Sequence, residues 1–303
     1  MRALTLSFVA VFVAVSSFGA QSRDAVIDPT IATLMRVQTF DEVAIAPDGS
    51  RVAYVKTVRG ANFEKTSESG VYVQALGSGS ATRVTIKSDA DPGSISWSPD
   101  SSQFAFSADQ LYVAPRAGGN ARALTNANGS FSATRWSPDG KSIAVLFIEN
   151  ASRKGGALEA MTPPSGDVDL QVEEQRIAII DVASRRMTFA TPANMYVYDF
   201  DWSPDSRSLV AETAFGSGED NYWSAELYRF DVGGDPKGRS IYKPALQVAN
   251  PRWSPDGKTI AFIEGLMSDE GSTGGDIYTI DANGGAATNL TPRMSASATT
   301  LEW

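Results

Sequence analysis

The side chains that could do chemistry in this sequence are carboxylates, because the chain of 303 residues contains no histidine and no cysteine. A Ser-His-Asp triad cannot be assembled, since the serine would have no imidazole to take its proton. Cysteine nucleophiles and the usual histidine or cysteine zinc sites are excluded in the same way. The remaining possibilities are carboxylate chemistry, a Ser-Lys dyad, a site for a hard cation, or no catalysis. No cofactor is predicted.

Two pairs of aspartates have spacings that suggest a role. Asp199 and Asp201 alternate on one face of a predicted strand, where they either line a central channel or form a solvated strand end. Asp167 and Asp169 have a spacing that could touch Ca²⁺, but no ligand loop surrounds them, so no metal site is predicted.

The overall charge is acidic: Lys and Arg number 26 and Asp and Glu number 35, which gives a net charge of −9. Binding a phosphate backbone requires clustered basic residues, so nucleic acid is not an expected partner. Hydrophobic residues make up 42% of the chain and charged residues 20%, which is typical of a globular protein.

The first residues are predicted to be a secretory signal peptide, spanning 1–20. Arg2 precedes an apolar stretch, and small residues follow it (MRALTLSFVAVFVAVSSFGA). A buried core helix and an uncleaved anchor are the alternatives. With a signal peptide, the mature protein is expected to be periplasmic or secreted, with no membrane contact after cleavage. Residues 21–40 are predicted to be a lead-in that contains a short helix.

The rest of the chain is an array of repeats. Four copies read Trp-Ser-Pro-Asp-Gly or Trp-Ser-Pro-Asp-Ser, beginning at Trp97, Trp136, Trp202 and Trp253, and a degenerate copy begins at Ile45. Each copy is followed by two β-rich segments, a Gly- or Ser-rich turn, and a segment that leads into the next tryptophan. Pro suits the second position of a type I turn and Gly the fourth, so each motif predicts a hairpin.

Four strands per repeat form an antiparallel sheet with two apolar faces, which must be buried against neighbouring sheets. The sequence therefore predicts an all-β fold, a β-propeller of four-stranded blades that spans 41–303. The tryptophans are expected to pack between blades. The serines of the motifs are interpreted as scaffold residues.

The array contains five repeats and the segment ASATTLEW (296–303), which is predicted to be the first strand of a sixth blade. The chain is therefore expected to be a fragment, cut inside the array. The alternative is that its last strand closes onto the first blade. Polar inserts at 149–175, 215–225 and 266–275 are expected on one rim, where propellers usually carry binding loops.

The repeats resemble two groups of proteins. The segment ATLMRVQTFDEVAIAPDGSRVAYVKT (32–57) and the insert ending VEEQRIAIIDVASRRM (172–187) are similar to the N-terminal propeller of the prolyl oligopeptidase family, in particular its dipeptidyl peptidase IV and acylaminoacyl-peptidase branches. The second resemblance is to the TolB-like periplasmic propeller. The resemblance to the prolyl oligopeptidase family covers residues 30–303 approximately, although many propellers share the repeat itself.

The first resemblance implies a C-terminal α/β-hydrolase domain with Gly-x-Ser-x-Gly, Asp and His. This chain has neither that motif nor a histidine, so it is expected to be inactive alone and to orient and gate peptides for a hydrolase domain outside it. The resemblance also implies that Glu173 and Glu174 bind the amino terminus of a peptide, since carboxylates suit a protonated amine. A solvated acidic pair beside Arg176 is the alternative.

Two other functions remain open. The TolB resemblance implies a stand-alone periplasmic module that binds a protein partner. A carboxylate-based glycosidase is a third hypothesis, which would need two carboxylates facing each other across the axis. Apart from Tyr222 and Trp223, no aromatic cluster in the inserts supports stacking on a sugar.

Overall fold

A computed structural model describes residues 38–60, 64–151, 173–216, 219–267 and 273–303. The predicted signal peptide and most of the predicted lead-in lie outside these residues, as does most of the long insert. No helix in the described part is both long and apolar enough to cross a membrane.

The described chain forms five sheets, each with four antiparallel strands that pair in chain order, which confirms the predicted blades. Blade one contains β1 (Gln38–Ile45), β2 (Arg51–Val58), β3 (Gly70–Ala75) and β4 (Ala81–Thr85); blade two contains β5 (Gly93–Trp97), β6 (Gln103–Ser107), β7 (Leu111–Pro115) and β9 (Arg122–Ala123). The short strand β8 (Gly119–Asn120) pairs in parallel with β4 and so ties the loop of blade two to blade one.

The other three blades have the same order. Blade three contains β10 (Gly129–Trp136), β11 (Ser142–Glu149), β12 (Gln175–Asp181) and β13 (Met187–Phe189); blade four contains β14 (Met195–Trp202), β15 (Ser208–Phe215), β16 (Glu226–Asp231) and β17 (Arg239–Tyr242); blade five contains β18 (Gln247–Trp253), β19 (Thr259–Gly265), β20 (Asp276–Asp281) and β21 (Thr288–Asn289). A single helix, α1 (Glu219–Tyr222), is assigned in the described part, within the insert of blade four.

In blades three, four and five the second strand is the most buried, and in blades three and four core clusters cover both of its faces. In β11, six consecutive residues from Ile143 to Ile148 are buried, and β19 is buried from Ile260 onward. A continuous apolar run is expected for a strand without a solvent face. The first strands of adjacent blades contact one another, so they form the inner wall of the array.

The Ser-Pro-Asp motifs form the predicted turns, and the serine hydroxyl lies at their centre. In blade three, Ser137 Oγ donates to Asp139 Oδ1 at 2.7 Å and accepts from the Ser142 amide at 3.0 Å. The Asp139 carboxylate also accepts from the Lys141 amide. The same bonds recur around Ser203 and Ser254, which confirms that these serines are scaffold residues.

The tryptophans join successive blades through the indole N–H. Each donates to the carbonyl oxygen of the residue that precedes the equivalent position in the blade before it. The pairs are Trp97 to Ala44 (2.9 Å), Trp136 to Ser96 (3.1 Å) and Trp202 to Arg135 (3.2 Å). Trp253 is the exception: its buried Nε1 has no hydrogen-bond partner in the described part, and the Arg229 guanidinium lies over its ring.

The segment 296–303 was predicted to be a strand of a sixth blade, and it does not form a strand ladder. It makes one antiparallel bridge, between Ala298 and Gly275, since no second strand follows it in the described residues to pair with. Trp303 nevertheless donates its indole N–H to the Arg252 carbonyl at 3.1 Å, as the repeat tryptophans do. The end of the segment thus takes the position expected of a repeat.

Two turns carry serine in place of the glycine at the last position of the motif. Ser101 and Ser206 have φ of 59° and 62°, which lie in the left-handed region. Each hydroxyl accepts a hydrogen bond from the turn of the preceding blade, at 3.0 Å from the Asp48 and Asp139 amides respectively. At Ser101 and Ser206, the cost of a left-handed backbone is therefore offset by a hydrogen bond to the turn of the preceding blade.

Replacement of Ser101 tests this compensation. Ser101→Ala keeps the left-handed backbone but removes the acceptor, so we expect a loss of about 1 kcal/mol in unfolding free energy. Ser101→Gly also removes the acceptor, but it relieves about 1 kcal/mol of left-handed strain, so we expect nearly wild-type stability. Denaturant unfolding measures both, with Ser80→Ala, at an exposed serine of blade one, as the control. Equal stability of the alanine and glycine variants would contradict the interpretation.

Candidate functional site

The inner strands carry a repeated β-bulge that sets the direction of the side chains on the inner wall. In blades two, three and five, the residue three before the tryptophan has a positive φ: Ser94, Ala133 and Asn250. In blade four the irregularity lies between Val197 and Asp199. A bulge re-aims the side chains that follow it, and here it presents Asp199 to the neighbouring blades.

Asp199 is the centre of an ion-pair triad that links three blades. Its Oδ1 accepts from Arg135 Nη2 at 2.9 Å, and its Oδ2 accepts from Arg252 Nη1 at 2.8 Å. All three side chains are only partly exposed, between 19% and 27%. Both sequence interpretations of Asp199 are therefore incomplete, because it lies on the inner wall as a paired carboxylate.

Asp201 makes a structural contact between two blades. Its carboxylate accepts a hydrogen bond from the Trp253 amide at 2.9 Å, which joins blades four and five. Burial raises the pKa of Asp201, and the bond from the Trp253 amide opposes that shift. Asp201 is thus neither a solvated strand end nor an open channel residue.

Behind the triad lies a buried carboxyl that the sequence analysis missed. Glu212 in β15 is 2% exposed, and its Oε1 has no hydrogen-bond partner in the described part of the chain. Burial raises the pKa of Glu212 well above its usual value, nearby Asp199 raises it further, and Arg252 opposes both effects. The sequence signal was available, since Glu212 is the one charged residue of a strand that is otherwise almost wholly apolar (SLVAETAF).

Two tyrosines, Tyr198 and Tyr222, interact electrostatically with Glu212, and Tyr196 contacts Tyr198. The ring of Tyr198 is 5.0 Å from that of Tyr196 and 5.3 Å from that of Tyr222 in α1. Burial raises the pKa of Tyr198, and charges on Tyr196, Glu212, Glu174 and Tyr222 raise it further. Tyr222 donates its hydroxyl to Met267 Sδ at 2.8 Å.

Glu173 and Glu174 immediately precede β12, on the rim that carries the inserts. Glu174 is 8% exposed, and the Oε2 atoms of both glutamates are buried without a hydrogen-bond partner among the described residues. Burial raises the pKa of Glu174 to about 7, while the nearby Arg176 lowers it. Glu174 is therefore not a solvated carboxylate, and its charge raises the pKa of Tyr198.

The site residues predicted from the sequence overlap only in part with the buried carboxyls and tyrosines described above. Asp167 and Asp169 lie outside the described residues. Within the described ranges, no group of three or more histidine, cysteine, aspartate or glutamate side chains is placed to hold a metal ion.

Trp223 lines a groove of about 490 Å³ between blades four and five, with Phe215 and Leu246 on its walls. A polar cavity of about 630 Å³ lies between blades one and two.

The triad predicts a measurable coupling between blades. Asp199→Ala leaves Arg135 and Arg252 close together without a counter-charge, so we expect a loss of about 1–3 kcal/mol in unfolding free energy. Adding Arg252→Ala removes one of the two cations and should cost less than the sum of the single changes. Denaturant unfolding of the double-mutant cycle measures this, with the exposed Glu302→Ala as control. Strict additivity would show that the triad carries no coupling.

The raised pKa of Glu174 predicts how stability depends on pH. The usual pKa of this group is 4.5 and its folded value is about 7, so the folded state binds more protons between these values. Stability from this group is therefore lost as the pH rises from about 4.5 to about 7. Glu174→Gln removes that loss, and its melting temperature should fall less over this interval than that of the wild type. Parallel melting profiles would contradict the assigned shift.

Known proteins resemble this chain in sequence over a short segment and in fold over most of its length. No protein-family model matches the chain. An uncharacterized peptidase of Bacillus subtilis, YuxL, is 40% identical over 109 residues, which is 33% of this chain and 16% of that protein. The match therefore spans well under two thirds of the relative's length.

Solved structures match over most of the chain. An acylaminoacyl peptidase has a TM-score of 0.60 at 15% identity, over 87% of this chain and 41% of its own. A putative TolB from Agrobacterium tumefaciens has a TM-score of 0.53 at 21% identity, over 84% of this chain and 80% of its own. Puromycin hydrolase is also similar, with a TM-score of 0.57.

The neighbours thus include the two groups that the repeats resemble, peptidases of the prolyl oligopeptidase family and TolB propellers. At these identities the likeness shows the fold. The chain has the β-propeller fold that these peptidases and TolB propellers share.

Proposed function

We propose that this chain is the propeller portion of a secreted or periplasmic serine exopeptidase that resembles the dipeptidyl peptidases. In this proposal the propeller gates access and orients peptides for an α/β-hydrolase domain outside this sequence. The chain lacks histidine and Gly-x-Ser-x-Gly, so in this proposal the Ser-His-Asp triad belongs to the hydrolase domain. The matched segment of the B. subtilis peptidase and the likeness to acylaminoacyl peptidase support the proposal.

The observation that carries the proposal is the pair Glu173 and Glu174. Both have a buried carboxyl oxygen without a hydrogen-bond partner in the described residues, on the rim of the inserts. A buried unpaired carboxyl is costly, and a protonated amine supplies both the missing donor and the counter-charge. The amino terminus of a peptide carries such an amine, so we assign its recognition to Glu173 and Glu174.

Binding of a short peptide tests this assignment. We expect the full chain to bind Ala-Pro-Ala-amide with a free amino terminus, and Glu174→Gln to weaken binding about tenfold or more, since hydrogen bonds to charged groups contribute about 1.5–3 kcal/mol. Glu173→Gln should act in the same direction. Isothermal titration calorimetry measures the dissociation constants.

The controls separate the amine from the rest of the peptide. The N-acetylated peptide should not bind, and the exposed Glu68→Gln should bind like the wild type. Wild-type affinity in both Glu173→Gln and Glu174→Gln would overturn the assignment, as would equal binding of the acetylated peptide.

A stand-alone TolB-like module is the second candidate, favoured by one observation. The chain covers 80% of the putative TolB structure but only 41% of the acylaminoacyl peptidase. An immunoblot of the periplasmic fraction of the source organism distinguishes the two. A product well above the 32.2 kDa of this chain supports the peptidase, whereas a product at or below that mass supports the module.

A further inference from the structure

The groove between blades four and five presents aromatic rings to solvent. Trp223 is the one tryptophan of the chain that lies outside a repeat position, and it is 42% exposed, whereas the four tryptophans within the array are 5–7% exposed. Phe215 and Leu246, on the walls of the same groove, are 57% and 49% exposed. Large apolar side chains gathered in an open concavity are typical of a binding site.

Both exposed rings are held in place by a second ring. The Trp223 ring lies 6.0 Å from that of Tyr222 at an angle of 70°, and the Phe215 ring lies 6.2 Å from that of Tyr228 at 87°. Edge-to-face contacts of this kind are preferred between aromatic rings and fix their orientation. Tyr222 is itself buried and donates its hydroxyl to Met267 Sδ. The rings are therefore positioned before a ligand arrives, which lowers the entropy cost of binding.

The other wall of the groove is tied to blade five by a buried carboxyl. The backbone amides of Ala245 and Leu246 donate to Glu264 Oε1 at 2.9 and 3.2 Å. The Tyr242 hydroxyl donates to the Oε2 atom of the same glutamate. The segment that carries Leu246 is thus anchored to β19, so this wall is also formed in the absence of a ligand.

Polar groups lie beside the rings in the same groove. Glu226 Oε1 is 3.6 Å from Lys243 Nζ, and Glu226 Oε2 accepts from the Ser240 hydroxyl at 2.6 Å. The Lys243 side chain is 81% exposed, so this ion pair is open to water. Gln247 Oε1 accepts from the Met267 amide at 3.1 Å, and the Nε2 group of Gln247 has no partner among the described residues. The groove therefore offers a carboxylate, an ammonium and a free carboxamide donor.

This composition matches a sugar. A pyranose ring carries C–H groups on its faces, and their partial positive charge suits the negative face of an aromatic ring. Its hydroxyls lie around the edge, where each can donate to a carboxylate or accept from an amide or ammonium. An aliphatic side chain would desolvate these polar groups without replacing their bonds to water. The opposite charges of Glu226 and Lys243 cancel, which favours a neutral sugar.

We infer that the groove beside Trp223 is a non-catalytic binding site for a neutral glycan. Trp223 and Phe215 are its stacking surfaces, and Glu226 and Gln247 bind the hydroxyls. The inference does not rest on the proposed function, because neither of the two glutamates assigned to the peptide amino terminus lines this groove.

The experiment titrates the full chain with three neutral tetrasaccharides: maltotetraose, cellotetraose and the tetramer of N-acetylglucosamine. Saturation-transfer NMR detects binding and gives the dissociation constants. We expect at least one of them to bind, with the strongest transfer to the C–H protons of its sugar rings. Absence of binding by all three at about 10 mM, a concentration that detects even weak affinity, would overturn the inference.

Two further probes test the chemistry of the ligand. Trigalacturonate carries the same kind of ring with negative charges, and N-acetyl-Phe-amide carries an apolar side chain without sugar hydroxyls. Both should bind more weakly than the best tetrasaccharide. Tighter binding of trigalacturonate would overturn the assignment of a neutral sugar, and tighter binding of N-acetyl-Phe-amide would show that the groove accepts apolar side chains instead.

Substitutions at the groove test the residues. Trp223→Ala should weaken glycan binding about tenfold or more, because a tryptophan often dominates the energy of a contact surface. Trp223→Phe keeps a ring and should retain most of the affinity. Phe215→Ala should weaken binding about threefold. Glu226→Gln should weaken binding in the same direction, because hydrogen bonds to an ionised acceptor are stronger.

The matched control lies in blade one. Phe40 is 55% exposed and its ring contacts that of Tyr54 edge-on at 5.4 Å, so it resembles Phe215 without lining the groove. Phe40→Ala should leave the affinity unchanged. Wild-type affinity in Trp223→Ala, or an equal loss in Phe40→Ala, would overturn the inference. Circular dichroism melting shows whether each variant is folded, and Phe215→Ala and Glu226→Gln keep the test decisive if Trp223→Ala does not fold.

Discussion

The hydrogen bond from a repeat tryptophan to the preceding blade, made at three of the four joints between blades, is the contact on which most of the array depends. It fixes the inner strand of one blade against that of the next, at the carbonyl that precedes the repeat position. In blades two, three and five the bulge has its positive φ three residues before the tryptophan, whereas in blade four the irregularity immediately precedes Asp199. Asp199 thus lies on the inner wall between Arg135 and Arg252.

Two groups of carboxyls in the molecule have their pKa shifted in opposite directions. In the turns, Asp100, Asp205 and Asp256 accept from serine hydroxyls and backbone amides, and these bonds lower the pKa of each carboxyl. In the blade interior, Glu174 and Glu212 are desolvated, and burial raises their pKa. The first group stabilises the scaffold through its hydrogen bonds, whereas burial of the second group disfavours the charged form.

The sequence predicted most of the fold and only part of the site. The Trp-Ser-Pro-Asp repeats identified the blades and their turns, because a proline and a tryptophan at a fixed spacing constrain the backbone directly. Glu212 was missed because it lies within an apolar strand, and Tyr198 was missed because its neighbours come from other strands and from α1. The residues 296–303 were expected to form a strand from their place in the array, yet a strand also needs a pairing partner, which a single-chain pattern does not reveal.

The serines at positive φ divide the joints of the array into two kinds. Ser101 and Ser206 link the turns of blades one and two and of blades three and four, whereas Gly140 and Gly257 leave the next joints without that link. The joint between blades four and five also lacks the indole bond, because Trp253 Nε1 is unpartnered in the described residues. At the joint between blades four and five, the hydrogen bond from the Trp253 amide to Asp201 and the Asp199–Arg252 ion pair stand where the other joints have the indole bond, so successive blades are joined by different contacts although their sequences repeat.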